Sequence, residues 1–292
     1  MTKIIEKNGF RIVTYNAQTY YVLLTDENID SGSAFMKKNE FTGIQLNSVS
    51  GFRKDNVDFL KDYSFVEDIM MVTATKLDIG GLQFLENLKS LSINRPVVGD
   101  LDFNEFPALQ SCIINWNKKL IGLENCKSLR NLTLHGYLKP DLSDLTNLKE
   151  LRSLAIISST IHTIAGIDTF QDLQNLDLSY NRNLTSLAGL GLLSNTLKSF
   201  EVQACKKINS IDEITNLSQL TQLGINNCGE IASIKPINNL KKLKRLDFWE
   251  STNVLDGDMT PCLGIEKVAF QNRKHYNYTN EQIDIINAAK LS

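Results

Sequence analysis

The sequence predicts an α/β solenoid of about ten turns, each a short strand followed by a tight return, and three observations predict it. First, an apolar phrase of the form LxxLxL recurs through most of the chain. Its middle anchors are Ile69, Leu91, Cys112, Leu132, Leu154, Leu176, Phe200, Leu223, Leu246 and Val268, separated by 20 to 24 residues. Second, a phrase of the form IxxLxxLxxL precedes several anchors, as in Ile164-Ile167-Phe170-Leu173 and Ile211-Ile214-Leu217-Leu220. Third, the composition suits a folded chain: 42% of the 292 residues are hydrophobic and 22% charged, with no disorder signature. A near-constant period of this length marks stacked repeats.

Residues 1–64 are expected to form a β-rich N-terminal cap, because an open solenoid end exposes apolar core. Ile12-Val13, the run Tyr20–Leu24 and Ile44-Gln45-Leu46 read as short strands, with Asn8-Gly9 a hairpin turn. Residues 54–63 (KDNVDFLKDY) read as a helix or a degenerate turn. Residues 65–272 carry the repeat. Its xLxLx segment has period two, which makes it a strand with the leucines inward. The apolar residues spaced by three suit a helical or 3₁₀ return on the opposite side. One turn cannot bury its leucines alone; stacking makes the strands a parallel sheet on the concave face and the leucines a continuous core. Residues 273–292 read as a C-terminal cap: Thr279, then Glu281-Gln282, then Ile283, Ile285, Ile286 and Ala289, mark a capped amphipathic helix.

These units resemble leucine-rich repeats of the 22-residue class, as found in internalins and in a phosphatase-regulatory family. LDLSYNRNLTSLAGL (residues 176–190) is the closest match, with Asn181 at the family's asparagine position, and the resemblance covers about residues 65–272. It implies an inward ladder in which a small polar side chain hydrogen-bonds the backbone of its turn. At that position the other turns carry Pro96, Asn117, Tyr137, Ser159, Cys205, Cys228, Ser251 and Arg273. Cys205 and Cys228 fit as small, buried, weak donors. Pro96 and Tyr137 cannot copy an asparagine, so the ladder is expected to be irregular there. Cys112 stands in for a core leucine.

Little in the sequence speaks for chemistry. A formal net charge of -2 leaves no footprint for nucleic acid or an anionic membrane surface. No stretch approaches the roughly 18 apolar residues of a membrane span. Glu6 and Lys7 interrupt the place where a secretory leader has its apolar run, so a cytoplasmic protein is expected. Five cysteines without a CxxC pair and three well-separated histidines give no reason to expect a metal or a cofactor. Gly189-Leu190-Gly191 lies in a return segment and reads as a turn rather than a phosphate loop. GxSxG, HExxH and kinase motifs are absent, so the expectation is not an enzyme. The basic run Lys241-Lys242-Leu243-Lys244-Arg245 interleaves with repeat leucines and reads as a solvated outer face.

The strand surface is the more informative part. Residues flanking the inward leucines project from the concave face, and the candidate partner-binding set there is Trp116, His135, Asp177, Tyr180, Glu201, Asn226, Asp247, Trp249 and Glu250. Both tryptophans fall outside the leucine positions, on a face that is expected to be wet. Tryptophan and tyrosine supply apolar area with a polar handle and are enriched in binding hot spots. The N-terminal part of this face is neutral or apolar (Ile113, Ala155, Ile157), whereas Asp177, Glu201 and Asp247 make the C-terminal part acidic. Strands about 4.8 Å apart over ten turns give a face roughly 45 Å long, enough for a standard protein interface. The expected function is recognition of a protein partner carrying a basic patch beside an apolar one, with no nucleic acid and no membrane. The abundance of Asn, Lys and Ile and the free-standing repeat array point to a bacterial protein. A concrete version is an immunity or inhibitor protein that neutralises a toxin or enzyme. The alternatives are an extracellular internalin-like adhesin and a substrate-targeting subunit of an enzyme.

Overall fold

A computed structural model describes residues 3–15, 19–74, 76–95 and 97–291, with side chains through 289. It divides into two compact units, residues 1–132 and 133–292. The first unit opens on a hairpin: β1 (Lys3–Lys7) pairs antiparallel with β2 (Phe10–Thr14), from Lys3↔Thr14 to Lys7↔Phe10. Asn8 and Gly9 between them are both left-handed, at φ 50° and 81°, as a two-residue hairpin loop requires. β2 pairs antiparallel with β3 (Tyr21–Leu24) as well.

A helix that the periodicity does not announce, α1 (Ile29–Lys38), leads from β3 to β4 (Gly43–Asn47), which runs parallel to β3. It buries Ile29, Gly32, Phe35 and Met36, a face spaced by three and four, and the Phe35 ring stacks on Phe10 at 4.0 Å. Ser31, Gly32 and Ser33 are weak helix formers and obscure that face in the sequence. The 54–63 stretch becomes a 3₁₀ segment, Asp58–Tyr63. β5 (Asp68–Val72), β6 (Ser90–Ile93), β7 (Leu101–Asp102), β8 (Ser111–Asn115) and β9 (Leu120–Ile121) follow. β4, β5, β6 and β8 are parallel neighbours that align Ile44, Ile69, Leu91 and Cys112, while β7 pairs with β9 on the return side.

Strand β10 (Asn131–His135) straddles the division between the units. In the second unit come β11 (Ser153–Ile157), β12 (Asn175–Asp177), β13 (Ser199–Gln203), β14 (Gln222–Asn226), β15 (Glu230–Ile231), β16 (Arg245–Phe248), β17 (Asn253–Val254) and β18 (Lys267–Phe270). β11, β12, β13, β14, β16 and β18 pair in parallel, and the anchors Leu154, Leu176, Phe200, Leu223, Leu246 and Val268 face one another strand by strand. The returns contain short 3₁₀ segments such as Ile167–Thr169, Leu190–Leu193 and Asp212–Asn216. Their residues Ile164, Ile167, Phe170 and Leu173 close the far side of the core, all essentially inaccessible. Gly189 caps one of these segments in a left-handed conformation, φ 93°, so the glycine pair serves a turn.

The inward ladder is present in the second unit and holds successive turns together. The Tyr137 N–H donates to Ser159 Oγ at 2.9 Å, and the Ser159 N–H donates to Asn181 Oδ1 at 2.9 Å. Asn181 Nδ2 donates back to the Ile156 carbonyl at 2.7 Å. The Cys205 and Cys228 thiols donate to the Leu178 and Val202 carbonyls at 2.8 and 3.3 Å. The next member is Thr252, not Ser251: Thr252 Oγ1 accepts from the Cys228 N–H at 3.0 Å and donates to the Ile225 carbonyl at 2.7 Å. One extra residue in that turn moves Ser251 to the surface, where its hydroxyl donates to Asn227 Oδ1. Asn117 is not a ladder member either; its Oδ1 accepts the Lys119 N–H two residues on, closing its own loop. Arg273 reaches back to the Glu250 and Thr252 carbonyls. Pro96 lies outside the described residues.

Helix α2 (Asn280–Leu291) follows the last strand. Thr279 and Gln282 form a reciprocal capping box: the Thr279 N–H donates to Gln282 Oε1 at 2.8 Å and the Gln282 N–H to Thr279 Oγ1 at 3.3 Å. Its buried side chains are Ile283 and Asn287, with Ile286 half-buried. Asn287 donates to the Cys262 and Ile265 carbonyls and accepts the Gly264 N–H. Ile285 and Ala289, expected on the apolar face, point outward, Ile285 at 71% exposure. A buried asparagine in their stead satisfies backbone groups that the last turn leaves open.

Candidate functional site

Alternation along each strand of the second unit puts one row of side chains on the face away from the core. At its centre the pairing aligns Asp177 with Glu201, Glu201 with Gly224, and Gly224 with Asp247. Gly224, with no side chain, therefore lies between two carboxylate-bearing positions. A recess of about 260 Å³ opens there, bordered by Ser199, Glu201, Gln222, Asn226, Arg245 and Asp247. Glu201 leans into that space: a β-carbon on Gly224 would lie 1.7 Å from Glu201 Oε2.

Asn226 ties the recess together. Its Nδ2 donates to Glu201 Oε1 at 3.0 Å and to Asp247 Oδ2 at 2.8 Å, while its Oδ1 accepts the Trp249 N–H at 2.8 Å. Four of the candidate residues, Glu201, Asn226, Asp247 and Trp249, thus form one bonded group. Arg245 joins them, with Nε donating to Asp247 Oδ1 at 2.9 Å. It belongs in sequence to the basic run, yet it stands two residues before Asp247 on β16 and so shares its face. The rest of that run lies where a solvated face puts it: Lys242 bonds Gln219, and Lys244 pairs with Glu266 at 3.1 Å.

The row is acidic despite Arg245. Burial pushes the Glu201 carboxyl above the usual carboxylate range; the Asn226 hydrogen bond opposes that push, and Asp247 and Asp177 add to it. Asp177 accepts the N–H and the hydroxyl of Ser179.

Tyr180 and Trp249 stand beside this row, each 46% exposed. Tyr180 is left-handed at φ 61° and Glu250 at φ 59°, as are Ser158, Ala204 and Asn227 one position before their ladder residues. These left-handed N–H groups donate one turn onward, Ala204 to the Asn226 carbonyl and Asn227 to the Trp249 carbonyl. Glycine would take this conformation with less strain, so the exposed side chains of Tyr180 and Glu250 cost the fold something to display. His135 ends β10 and is half-buried; Trp116 follows β8 in the first unit, also half-buried.

The cysteines offer no reactive centre. All five are buried and unpaired as disulfides. Burial pushes the Cys205 and Cys126 thiols up to about 12 and Cys228 to about 11. Among the described residues, no group of three or more His, Cys, Asp or Glu side chains could hold a metal ion. No described helix is long and apolar enough to cross a membrane. What the face can do is accept hydrogen bonds from cations and offer aromatic surface.

No family model matches the chain, and no curated protein matches it. Solved structures show a partial likeness to it. An internalin, InlF, from Listeria monocytogenes is 17% identical over 76% of this chain and 83% of its own, with a TM-score of 0.45. The functional domain of InlJ from the same organism, described as including a cysteine ladder, is 15% identical over 77% of this chain and 58% of its own, at 0.43. A leucine-rich-repeat protein of Leptospira interrogans is 16% identical over 81% of this chain and 80% of its own, at 0.39. By its repeat length, parallel strand register and inward ladder, the chain folds as a leucine-rich-repeat solenoid.

Proposed function

We propose that this chain is a binding module, not an enzyme, and that it recognises a protein through the exposed strand face of its second unit. The observation that carries this reading is the bonded polar row Glu201-Asn226-Asp247 with two half-exposed aromatic residues, Tyr180 and Trp249, beside it. Buried aromatic anchors ringed by polar groups dominate protein interfaces. The finer version is an inhibitor or immunity protein acting in a bacterial cytoplasm, whose acidic row takes the place of a phosphate or nucleic-acid surface on a toxin or enzyme. An adhesin and an enzyme-targeting subunit remain its alternatives, and both would use the same face.

The test is capture of a partner from the native host by the wild-type chain and by three variants. Trp249→Ala is expected to weaken capture by roughly 2 kcal/mol, as loss of an interface anchor does. Asp177→Asn with Glu201→Gln is expected to slow association and flatten its salt dependence, because exposed charges steer encounter. Lys242→Glu, on the return side, is expected to bind like wild type. Loss of capture in Lys242→Glu, with the other variants unaffected, would move the interface to the opposite side.

A further inference from the structure

We infer that the recess over Gly224 receives one arginine side chain of the protein partner, held by Glu201 and Asp247 and flanked by Trp249. This rests on the protein-binding reading above and names the chemistry at its centre. The strand face of the second unit is an unpartnered sheet face, and the charge around the recess selects its occupant. Two carboxylates, Glu201 and Asp247, border the recess, and a third, Asp177, pairs alongside Glu201. The guanidinium of Arg245 engages Asp247 Oδ1 through its Nε.

Acceptor capacity remains on both carboxylates. Glu201 Oε1 accepts one hydrogen bond from Asn226, and Asp247 accepts one at each oxygen. An ionised carboxylate offers about four lone-pair sites. A planar guanidinium presents five N–H donors in a fork that matches carboxylate pairs, and it stacks on aromatic faces better than an ammonium does. Trp249 lies two residues beyond Asp247 on the same edge, with its N–H fixed by Asn226 and its ring half exposed. Its half-exposed side chain would cover the stem of an arginine inserted beside it.

The position of the Glu201 carboxylate depends on one missing side chain. Alanine at Gly224 would collide with the Glu201 carboxylate and push it from its place beside Asn226, so Gly224→Ala breaks the carboxylate arrangement.

The experiment is an NMR titration of the full chain with N-acetyl-arginine methylamide, beside its citrulline and lysine counterparts. The expected result is saturable, weak binding of the arginine probe, with shifts confined to Gly224, the Asn226 side-chain amide and the Trp249 indole. Gly224→Ala and the Glu201→Gln with Asp247→Asn pair should each weaken that binding at least about tenfold. Thermal melts would show that both variants are folded. Shifts elsewhere, no saturation, or an equal response to citrulline or lysine would overturn the assignment. Partner capture separates the two readings. If Trp249→Ala loses the partner while Gly224→Ala and the carboxylate pair keep it, the strand face binds a protein but no arginine enters the recess. If all these variants keep it, both readings fall.

Discussion

Replacing Asn181 by alanine tests whether the inward ladder holds the turns together. The side chain is fully buried and makes two bonds, donating to the Ile156 carbonyl at 2.7 Å and accepting the Ser159 N–H at 2.9 Å. Asn181→Ala leaves a carbonyl and an N–H without partners in a dry interior. Each orphan costs about 1–3 kcal/mol, so the loss is expected to be about 2–5 kcal/mol. Asn181→Cys should recover part of it, because Cys205 fills the corresponding place one turn on. The turn around residue 251 supplies an internal control. Thr252→Val removes a buried hydroxyl that accepts from Cys228 and donates to Ile225, whereas Ser251→Ala removes a surface hydroxyl. The first should be clearly destabilising and the second should change stability by less than about 0.5 kcal/mol. Urea unfolding followed by fluorescence and by far-ultraviolet circular dichroism measures all four variants, and agreement of the two probes checks that one transition is being read. An Asn181→Ala loss under half a kcal/mol, or equal effects at 251 and 252, would refute the ladder argument.

Leu176→Ala opens a cavity between stacked turns and should cost about 2–5 kcal/mol in the same assay; a negligible change would mean that Leu176 does not face the core. Cys205 and Cys228 should resist thiol reagents at pH 8 until the chain unfolds, since both are buried and their thiols are pushed up to about 12 and about 11; fast labelling of the folded protein would contradict this. Glu201 holds its proton more tightly folded than unfolded, so its contribution is present at low pH and is lost as pH rises through the raised folded value. Glu201→Gln should therefore lose less stability than wild type between about pH 4 and pH 7, and parallel stability curves would rule that out.

The repeat was legible because it is written in volume and period. A leucine every two residues along a strand, repeated every 20 to 24 residues, has one way to bury itself, and Leu176, Phe200, Leu223 and Leu246 pair as that count requires. The hairpin at Asn8-Gly9 and the capping box at Thr279 were legible for the same reason, since each is a local solution to a backbone problem. Helix α1 was not, because Ser31, Gly32 and Ser33 weaken its local signal and its burial face becomes plain only against Phe10 and Tyr63.

The candidate site divides along the same line. Period two put Asp177, Glu201 and Asp247 on one face from the sequence alone, because alternation is a property of a single strand. The extra residue that puts Thr252 in the ladder instead of Ser251 is settled by which hydroxyl reaches Cys228. Arg245 belongs to the acidic row because its guanidinium meets Asp247 in space, although its neighbours in the sequence are outward lysines. Glu201 can lie over β14 because a glycine there falls opposite it on the adjacent strand. Spacing along one chain determined the repeats, the core and the face on which residues stand. The bonds that Asn226 makes to Glu201, Asp247 and Trp249 join residues more than twenty positions apart in the sequence, so tertiary packing alone decided them.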